Sequence, residues 1–184
     1  MHDEKFIDED GIEKSSIIPR DYKFSMTFKG WNLYDELQRA SKDSRLAFMA
    51  MKYNDETLEK IFDEVIKDAV SKTGFDIRKL EEEKRAGLID DKLRVEIRRS
   101  KFLIADLTHD NNGAYWEAGF AEGLGMPVIY ICEERKFEKE KSHFDTNHHL
   151  TVTWKDNEDG LKKFAMDLKA TIRATFPAEA KIED

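Results

Sequence analysis

The sequence predicts an α/β fold, in which a parallel sheet carries helices on both faces. Two observations support this prediction. Short, continuous apolar runs recur along the chain, as strands buried on both faces require, for example residues 46–51 (LAFMAM) and 101–105 (KFLIA). Amphipathic segments with the helical i, i+3, i+4, i+7 spacing alternate with these runs, which is the element order of a parallel sheet.

The first strand–helix unit shows this pattern clearly. Residues 46–51 form the first strand, and Asn54 is the expected N-cap of the helix that follows. Gly74 stands where a left-handed C-cap belongs. The apolar positions between the two caps recur at helical spacing: Leu58, Ile61, Phe62, Val65, Ile66, Ala69 and Val70.

The remaining elements continue the alternation to the end of the chain. Strands are predicted at residues 75–78, 101–105, 128–132 and 150–154, and a final helix begins at Asn157 or Asp159. Five strands joined by short crossovers predict a flavodoxin-like (Rossmann-like) five-stranded parallel sheet with helices on both faces. Ligands of such sheets bind beyond the carboxyl ends of the strands, so the loops after Met51, Arg78, Asp106 and Cys132 contain the candidate site.

The sequence is expected to divide into three segments. Residues 1–44 form an N-terminal extension, in which Tyr22, Phe24, Met26 and Phe28 alternate with polar residues as in a half-buried strand. Residues 45–176 form the main domain, and residues 177–184 form an acidic tail that we expect to be frayed.

The composition excludes several functional classes. The chain has 184 residues and a net charge of −8, with 38% charged and 40% hydrophobic residues, which suits one principal domain with a sizeable core. The acid excess argues against binding to duplex DNA, because phosphates attract clustered positive charge. A single cysteine, Cys132, excludes an internal disulfide framework and a cysteine zinc cluster. We find no long apolar run or signal sequence and therefore expect a cytoplasmic protein without membrane contact.

Two carboxylates between the third and fourth strands are candidate catalytic groups. Asp106 ends the third strand, where it either contacts a ligand or caps the next loop through an Asx turn. Glu117 is expected in about the first turn of the following helix, where the helix dipole favours its ionised form. A carboxylate there can attack or stabilise an oxocarbenium-like sugar carbon, although acids in first turns often serve helix stability alone.

A further set of side chains can shape a nucleotide pocket. Four of them belong to the first strand and its loop, where plain core packing is the alternative: Phe48, Met49, Met51 and Tyr53. Backbone N–H groups at Asn112 and Gly113 can hold an anion at the helix start, and Tyr115 and Trp116 follow them.

Three charged residues near the second strand and second helix complete the candidate set. Arg78 can hold a phosphate, or it can pair with Glu81 or Glu82. Asp90 and Asp91 begin the second helix, where one of them serves as a cap and the other can reach a ribose hydroxyl.

Metal-dependent and kinase-type chemistry are not predicted. His143, His148 and His149 lie near Asp145, but their spacing matches no standard zinc pattern. The chain has neither a Walker A loop nor a GxGxxG fingerprint, so no metal and no cofactor are predicted.

Several segments together resemble the nucleoside 2-deoxyribosyltransferase superfamily. They are FMAM, IDD…EIRRS, FLIADLT and GAYWEAGFAEGLGMPVI. The YxEAGFA helix and the later HFDTNH segment more narrowly resemble bacterial deoxyribosyltransferase-like or TIR-like proteins. The resemblance covers residues 45–154. Residues 22–31 (YKFSMTFKGW) separately resemble the trailing hairpin of a winged helix.

The superfamily resemblance implies roles for individual residues. A helix glutamate of the family attacks the anomeric carbon of a nucleoside and forms a covalent glycosyl enzyme, and the motif places that glutamate at Glu117. An acid that assists the sugar or the base maps to Asp90, and Asn111 stands where family enzymes often carry an aspartate. The TIR resemblance implies cleavage of the nicotinamide–ribose bond of NAD by the same glutamate.

Taken together, the residues and the resemblance predict a domain that binds a nucleoside, a nucleotide or NAD and cleaves or transfers at its N-glycosidic bond. Glu117 reacts, and Asp106 and Asp90 orient the sugar. We expect a small-molecule ligand and a homo-oligomer. The alternatives are a nucleotide sensor without catalysis and a TIR-like module that acts by self-assembly.

Overall fold

The structure is a computed structural model that describes residues 7–8, 25–31, 44–80, 89–139 and 150–183. The chain divides into two compact units, residues 1–39 and 40–184. In the first unit, strand β1 (Ile7–Asp8) pairs antiparallel with β2 (Ser25–Met26).

The strand predicted to run through Phe28 ends earlier than expected. Residues 28–31 form a helical turn, which begins where the Thr27 hydroxyl accepts the Gly30 N–H at 3.0 Å. The Trp31 N–H also donates to the Thr27 carbonyl at 2.9 Å. Because this hydroxyl caps a turn, the chain leaves the extended conformation after Met26.

The second unit contains the five-stranded sheet that the sequence predicts. Its strands are β3 (Leu46–Ala50), β4 (Asp76–Lys79), β5 (Phe102–Asp106), β6 (Val128–Glu133) and β7 (Thr151–Trp154). All neighbouring pairs are parallel and the spatial order is β4-β3-β5-β6-β7. The flavodoxin-like α/β fold is therefore confirmed, and the strand order reverses between β3 and β5.

Helices cover both faces of this sheet. Helix α1 has three consecutive parts, namely α-helical Glu56–Ile61, π-helical Phe62–Ile66 and α-helical Lys67–Lys72. The other helices are α2 (Ile89–Arg99), α3 (Asn112–Gly123), α4 (Glu134–Lys139) and α5 (Glu158–Thr175). Side chains of α1 and α5 pack in one core cluster, and side chains of α2 and α3 pack in another on the opposite face.

The first helix begins one residue later than predicted. Asp55 is the N-cap, since its Oδ1 accepts the Leu58 N–H at 3.0 Å. Asn54, the predicted cap, has a φ of 58°. Asparagine tolerates this left-handed conformation better than most residues, so Asn54 makes the turn and leaves the cap to its neighbour. At the last helix, Asn157 is the cap, as one of the two predicted alternatives.

The acidic tail packs against the amino ends of the strands instead of fraying. Phe176 is buried, with its ring centroid 5.4 Å from that of Phe75 and 5.1 Å from that of Phe102. The Lys101 ammonium pairs with Glu179 at 2.7 Å, and the Lys181 N–H donates to a carbonyl at the end of α1. The chain after α5 therefore covers the amino ends of these strands.

This packing predicts a large effect of Phe176→Ala. We expect the free energy of unfolding to fall by about 3–5 kcal/mol, because the truncation leaves a cavity between two buried rings. Ile182→Ala is the matched control: Ile182 is 80% exposed, so its loss should change stability by less than about 0.5 kcal/mol. Urea unfolding measures both values, and equal effects would contradict the packing described above.

Candidate functional site

The loops after β3, β5 and β6 meet at the carboxyl edge of the sheet, and Asp106 lies at their centre. Its side chain is 1% exposed. Asp106 Oδ1 accepts the Thr108 N–H at 3.0 Å, and Oδ2 accepts the Thr108 hydroxyl at 2.9 Å. The Thr108 hydroxyl oxygen accepts in turn the Glu133 N–H at 2.9 Å, which ties the end of β5 to the end of β6.

Burial and hydrogen bonding act on Asp106 in opposite directions. Burial raises its pKa to about 6, and the hydrogen bonds from Thr108, the His109 charge and the nearby Trp154 indole partly offset that rise. The Asx-turn alternative is therefore present in the structure, since both carboxylate oxygens of Asp106 hold the loop that follows.

His109 joins this cluster, although no motif in the sequence marks it as a site residue. Its Nε2 lies 3.0 Å from Asp55 Oδ2, and its Nδ1 lies 4.0 Å from Asp106 Oδ1. Asp55 follows β3 and His109 follows β5, so the imidazole bridges the two loops where the strand order reverses. The sequence indicates His109 only through its position in the loop after Asp106, which is one of the four loops at the carboxyl ends of the strands.

Glu117 lies in the second turn of α3, next to the first turn around which it was predicted. The helix begins at Asn112, and Asn111 is its N-cap, with the Asn111 Oδ1 accepting the Gly113 N–H at 3.1 Å. Helical spacing places Glu117 on the face that also carries Ala114 and Ala121, which pack in the core. The side chain is consequently only 8% exposed.

The Glu117 carboxyl has no hydrogen bond or ion pair to any residue in the described part of the chain. Burial is the one cause that shifts its pKa, which rises to about 7. The predicted preference of the helix dipole for the ionised form is therefore outweighed by burial. The dipole is strongest within the first turn, and desolvation is the larger effect on a buried group one turn further along.

The structure does not bring Glu117 and Asp106 into one cluster. By strand alternation, Asp106 points to the same face as Ile104, which packs with α1 and α5. Glu117 belongs to α3, which covers the opposite face. The two carboxyl groups therefore approach the carboxyl edge of the sheet from different sides.

The candidate base-contacting residues divide into buried and accessible ones. Phe48, Met49 and Met51 are at most 3% exposed. They pack in the core, which is the alternative that the sequence offers to contact with a base. Tyr53 and Tyr115 are half-buried and pack against the α2–α3 side of the core.

Trp116 forms part of an exposed aromatic stack. Its ring lies nearly parallel to that of Phe120, with the centroids 5.4 Å apart. The Arg94 guanidinium lies over the Trp116 ring, 5.6 Å from its centroid. Trp116 is 45% exposed, so one part of the ring stays available for a contact.

The polar candidates lie at the ends of their elements. Asn112 and Gly113 are exposed at the start of α3, where Asn111 already accepts the Gly113 N–H. Arg78 is exposed near the carboxyl end of β4. Asp91 pairs with Arg94 at 3.2 Å.

Some of the predicted site residues, or their side chains, lie outside the part of the chain that the structure describes. Asp90 lies in α2, but its side chain is outside the described residues. Six others fall entirely outside the described ranges: Glu81, Glu82, His143, Asp145, His148 and His149. Among the residues that are described, no group of three or more His, Cys, Asp or Glu side chains could hold a metal ion.

No protein-family model matches the chain, and no curated protein matches it. Within the described ranges, no helix is long and apolar enough to cross a membrane.

The burial of Glu117 predicts that Glu117→Gln stabilises the protein at high pH. The unfolded group titrates near 4.5 and the folded group near 7, so ionisation favours unfolding as the pH rises between these values. At pH 8 we expect the variant to gain about 2–3 kcal/mol over the wild type, and at pH 4 we expect no difference. Urea unfolding at both pH values measures this.

The control is Glu138→Gln, which removes a carboxylate from the exposed face of α4. It should change stability by less than about 0.5 kcal/mol at either pH. A Glu117→Gln variant that is less stable than the wild type at pH 8 would show that the carboxylate has a stabilising partner.

Proposed function

We propose that this chain binds a nucleoside or nucleotide at the carboxyl edge of its sheet and cleaves or transfers at the N-glycosidic bond through Glu117. One observation carries the proposal: the Glu117 carboxyl is buried, lacks a partner in the described part of the chain and has a pKa near 7. A buried carboxyl without a partner lowers stability, and groups of this kind are typical of functional sites.

Desolvation suits Glu117 to a reaction that develops positive charge on its substrate. Its ionised form is poorly stabilised in the free protein, because few dipoles replace the lost water. As the bond between the base and the sugar breaks, the sugar ring gains oxocarbenium character. The carboxylate then finds its missing counter-charge in the transition state, so stabilisation is greater there than in the ground state.

The proposed reaction needs one further reactant, which is the acceptor of the sugar. Glu117 forms an ester bond to the anomeric carbon while the carbon–nitrogen bond breaks, and the electron pair leaves with the base, which takes up a proton from the assisting acid or from solvent. Water or a second base then attacks the same carbon, releases the carboxylate and gives up the proton that restores the acid or returns to solvent. The first acceptor gives hydrolysis and the second gives transfer.

The other carboxylates have supporting roles in this proposal. Asp106 keeps the loop after β5 in place through Thr108, and that loop leads into α3. Asp90, at the start of α2, is the acid that we propose to assist the sugar or the base. The assignment of Asp90, and of the chain to the nucleoside 2-deoxyribosyltransferase superfamily, rests on the sequence resemblance.

Base release tests the proposal directly. Nucleosides, nucleoside monophosphates and NAD are incubated with wild type, Glu117→Gln and Glu138→Gln, and free base is measured by chromatography. We expect release by the wild type and the Glu138 control, and a loss of roughly a thousandfold or more in Glu117→Gln, since removal of a nucleophile has effects of that order. Ligand-induced thermal stabilisation should survive in Glu117→Gln.

The pH profile separates a nucleophile from an acid. The kcat/KM of the wild type should rise with pH up to about 7 and then level off, because the ionised form of Glu117 reacts. A rate that falls as the pH rises through 7 would contradict the nucleophilic role. Stabilisation by ligands without release of any base would favour the sensor alternative.

A further inference from the structure

A groove of about 460 Å³ lies along β4. This strand is at one edge of the sheet and pairs with β3 alone among the described strands. The groove runs between α1 and α2. Its deepest lining includes the buried rings of Phe48 and Phe62, and its volume is within the range of small-molecule sites.

Among the described residues that line this groove, basic side chains outnumber acidic ones. They are four cations, Lys67, Arg78, Lys79 and Lys92, and one acid, Glu96. The whole chain has a net charge of −8, so this concentration of positive charge is local. A cleft lined by one sign of charge raises the local concentration of ligands of the opposite sign.

Two of the lysines are held at one wall of the groove. Lys67 and Lys79 both lie over the Phe62 ring, with the ammonium nitrogens 4.9 Å and 5.1 Å from its centroid. Lys67 also pairs with Asp63 at 2.5 Å, and Lys79 pairs with Glu59. The ring and the two acids keep these cations at the wall of the groove, and the two acids also offset part of their charge.

Arg78 differs from these lysines because it has no hydrogen bond or ion pair within the described ranges. It is exposed at the groove, whereas strand alternation directs its neighbour Lys79 to the α1 face of β4, where Lys79 pairs with Glu59. Its guanidinium presents a planar set of N–H donors that matches two oxygens of a phosphate. An anion bound at Arg78 would supply the acceptors that the described protein atoms do not.

We infer that the groove along β4 binds a phosphate group. The inference rests on the proposed function where that phosphate belongs to the substrate, which is then a nucleotide and not a free nucleoside. The carboxyl end of β4 is two strand spacings from β5, roughly 10 Å. A phosphate at Arg78 thus lies to one side of the loops that lead to Glu117.

Calorimetric titration of the full chain tests the inference. The probes are inorganic phosphate and each common nucleoside with its monophosphate, and the variants are Arg78→Gln and Lys163→Gln. We expect monophosphates to bind more tightly than nucleosides, and Arg78→Gln to weaken monophosphate binding by about tenfold or more, since hydrogen bonds to charged groups are strong. Nucleoside binding should not change.

Lys163→Gln is the control, because it removes one positive charge from the exposed side of α5, away from the groove. It should leave all affinities within about twofold. Raised salt should weaken monophosphate binding more than nucleoside binding. Equal affinity of Arg78→Gln and wild type for inorganic phosphate and for every monophosphate would overturn the inference.

Two further results separate this inference from the proposed function. If Arg78→Gln loses affinity for monophosphates while no base is released from any substrate, the phosphate site stands and the glycosidic chemistry fails. Inhibition of base release by inorganic phosphate, competitive with the nucleotide, identifies the phosphate as the substrate's own. Binding of inorganic phosphate in the groove without competition identifies a separate phosphate ligand and still supports the site.

Discussion

Helices on both faces of a parallel sheet remove water from most positions of its inner strands. In β5 all residues from Phe102 to Asp106 are buried, so the last of them places a carboxyl group where almost no solvent reaches it. A polar group in that position must find a partner, change its protonation state or lower the stability of the fold. The chemistry at the carboxyl edge follows from this constraint.

Asp106 and Glu117 meet the constraint in different ways. Asp106 receives two hydrogen bonds from Thr108, and these partly offset the cost of its burial. Glu117 receives none within the described part of the chain, and its pKa rises further. The Asp106 carboxyl group therefore stabilises the fold. The Glu117 carboxyl group has no stabilising contact within the described part of the chain, and we propose that it interacts with a positively charged reaction centre.

The amino edge of the sheet meets the same constraint through the chain itself. Arg45 precedes β3 and donates to the Glu179 carbonyl, Lys101 precedes β5 and pairs with the Glu179 carboxylate, and Thr73 accepts the Lys181 N–H. The segment after α5 thus covers this edge, and it satisfies polar groups that would otherwise compete for a ligand. The carboxyl edge and the groove along β4 are the places where we propose that ligands bind.

The fold could be predicted from the sequence because its determinants are local. Apolar runs and helical periodicity identify the strands and helices within a few residues, and their alternation is enough to predict a parallel sheet. Errors arose where two neighbouring residues were chemically equivalent. Asn54 and Asp55 both make good N-caps, and the left-handed backbone of Asn54 decides between them.

The site was less accessible to sequence reasoning, because its contacts join residues that are distant in the chain. His109 contacts Asp55 across two different loops, and no spacing in the sequence announces that pair. The protonation of Glu117 likewise depends on the core that α3 enters, whereas the sequence shows only an acid near the start of a helix. The sequence shows which residue types lie near the predicted site, but it does not show how deeply each of them is buried.

A nucleotide whose N-glycosidic bond is breaking has two charges of opposite sign, an anionic phosphate and a sugar with oxocarbenium character. The desolvated carboxyl of Glu117 favours the positive centre, and the cations around Arg78 favour the negative one. The proposed phosphate site at Arg78 would attract the anionic end of such a ligand although the net charge of the chain is −8. The same net charge disfavours long polyanions, because it repels phosphates that lie beyond the proposed site.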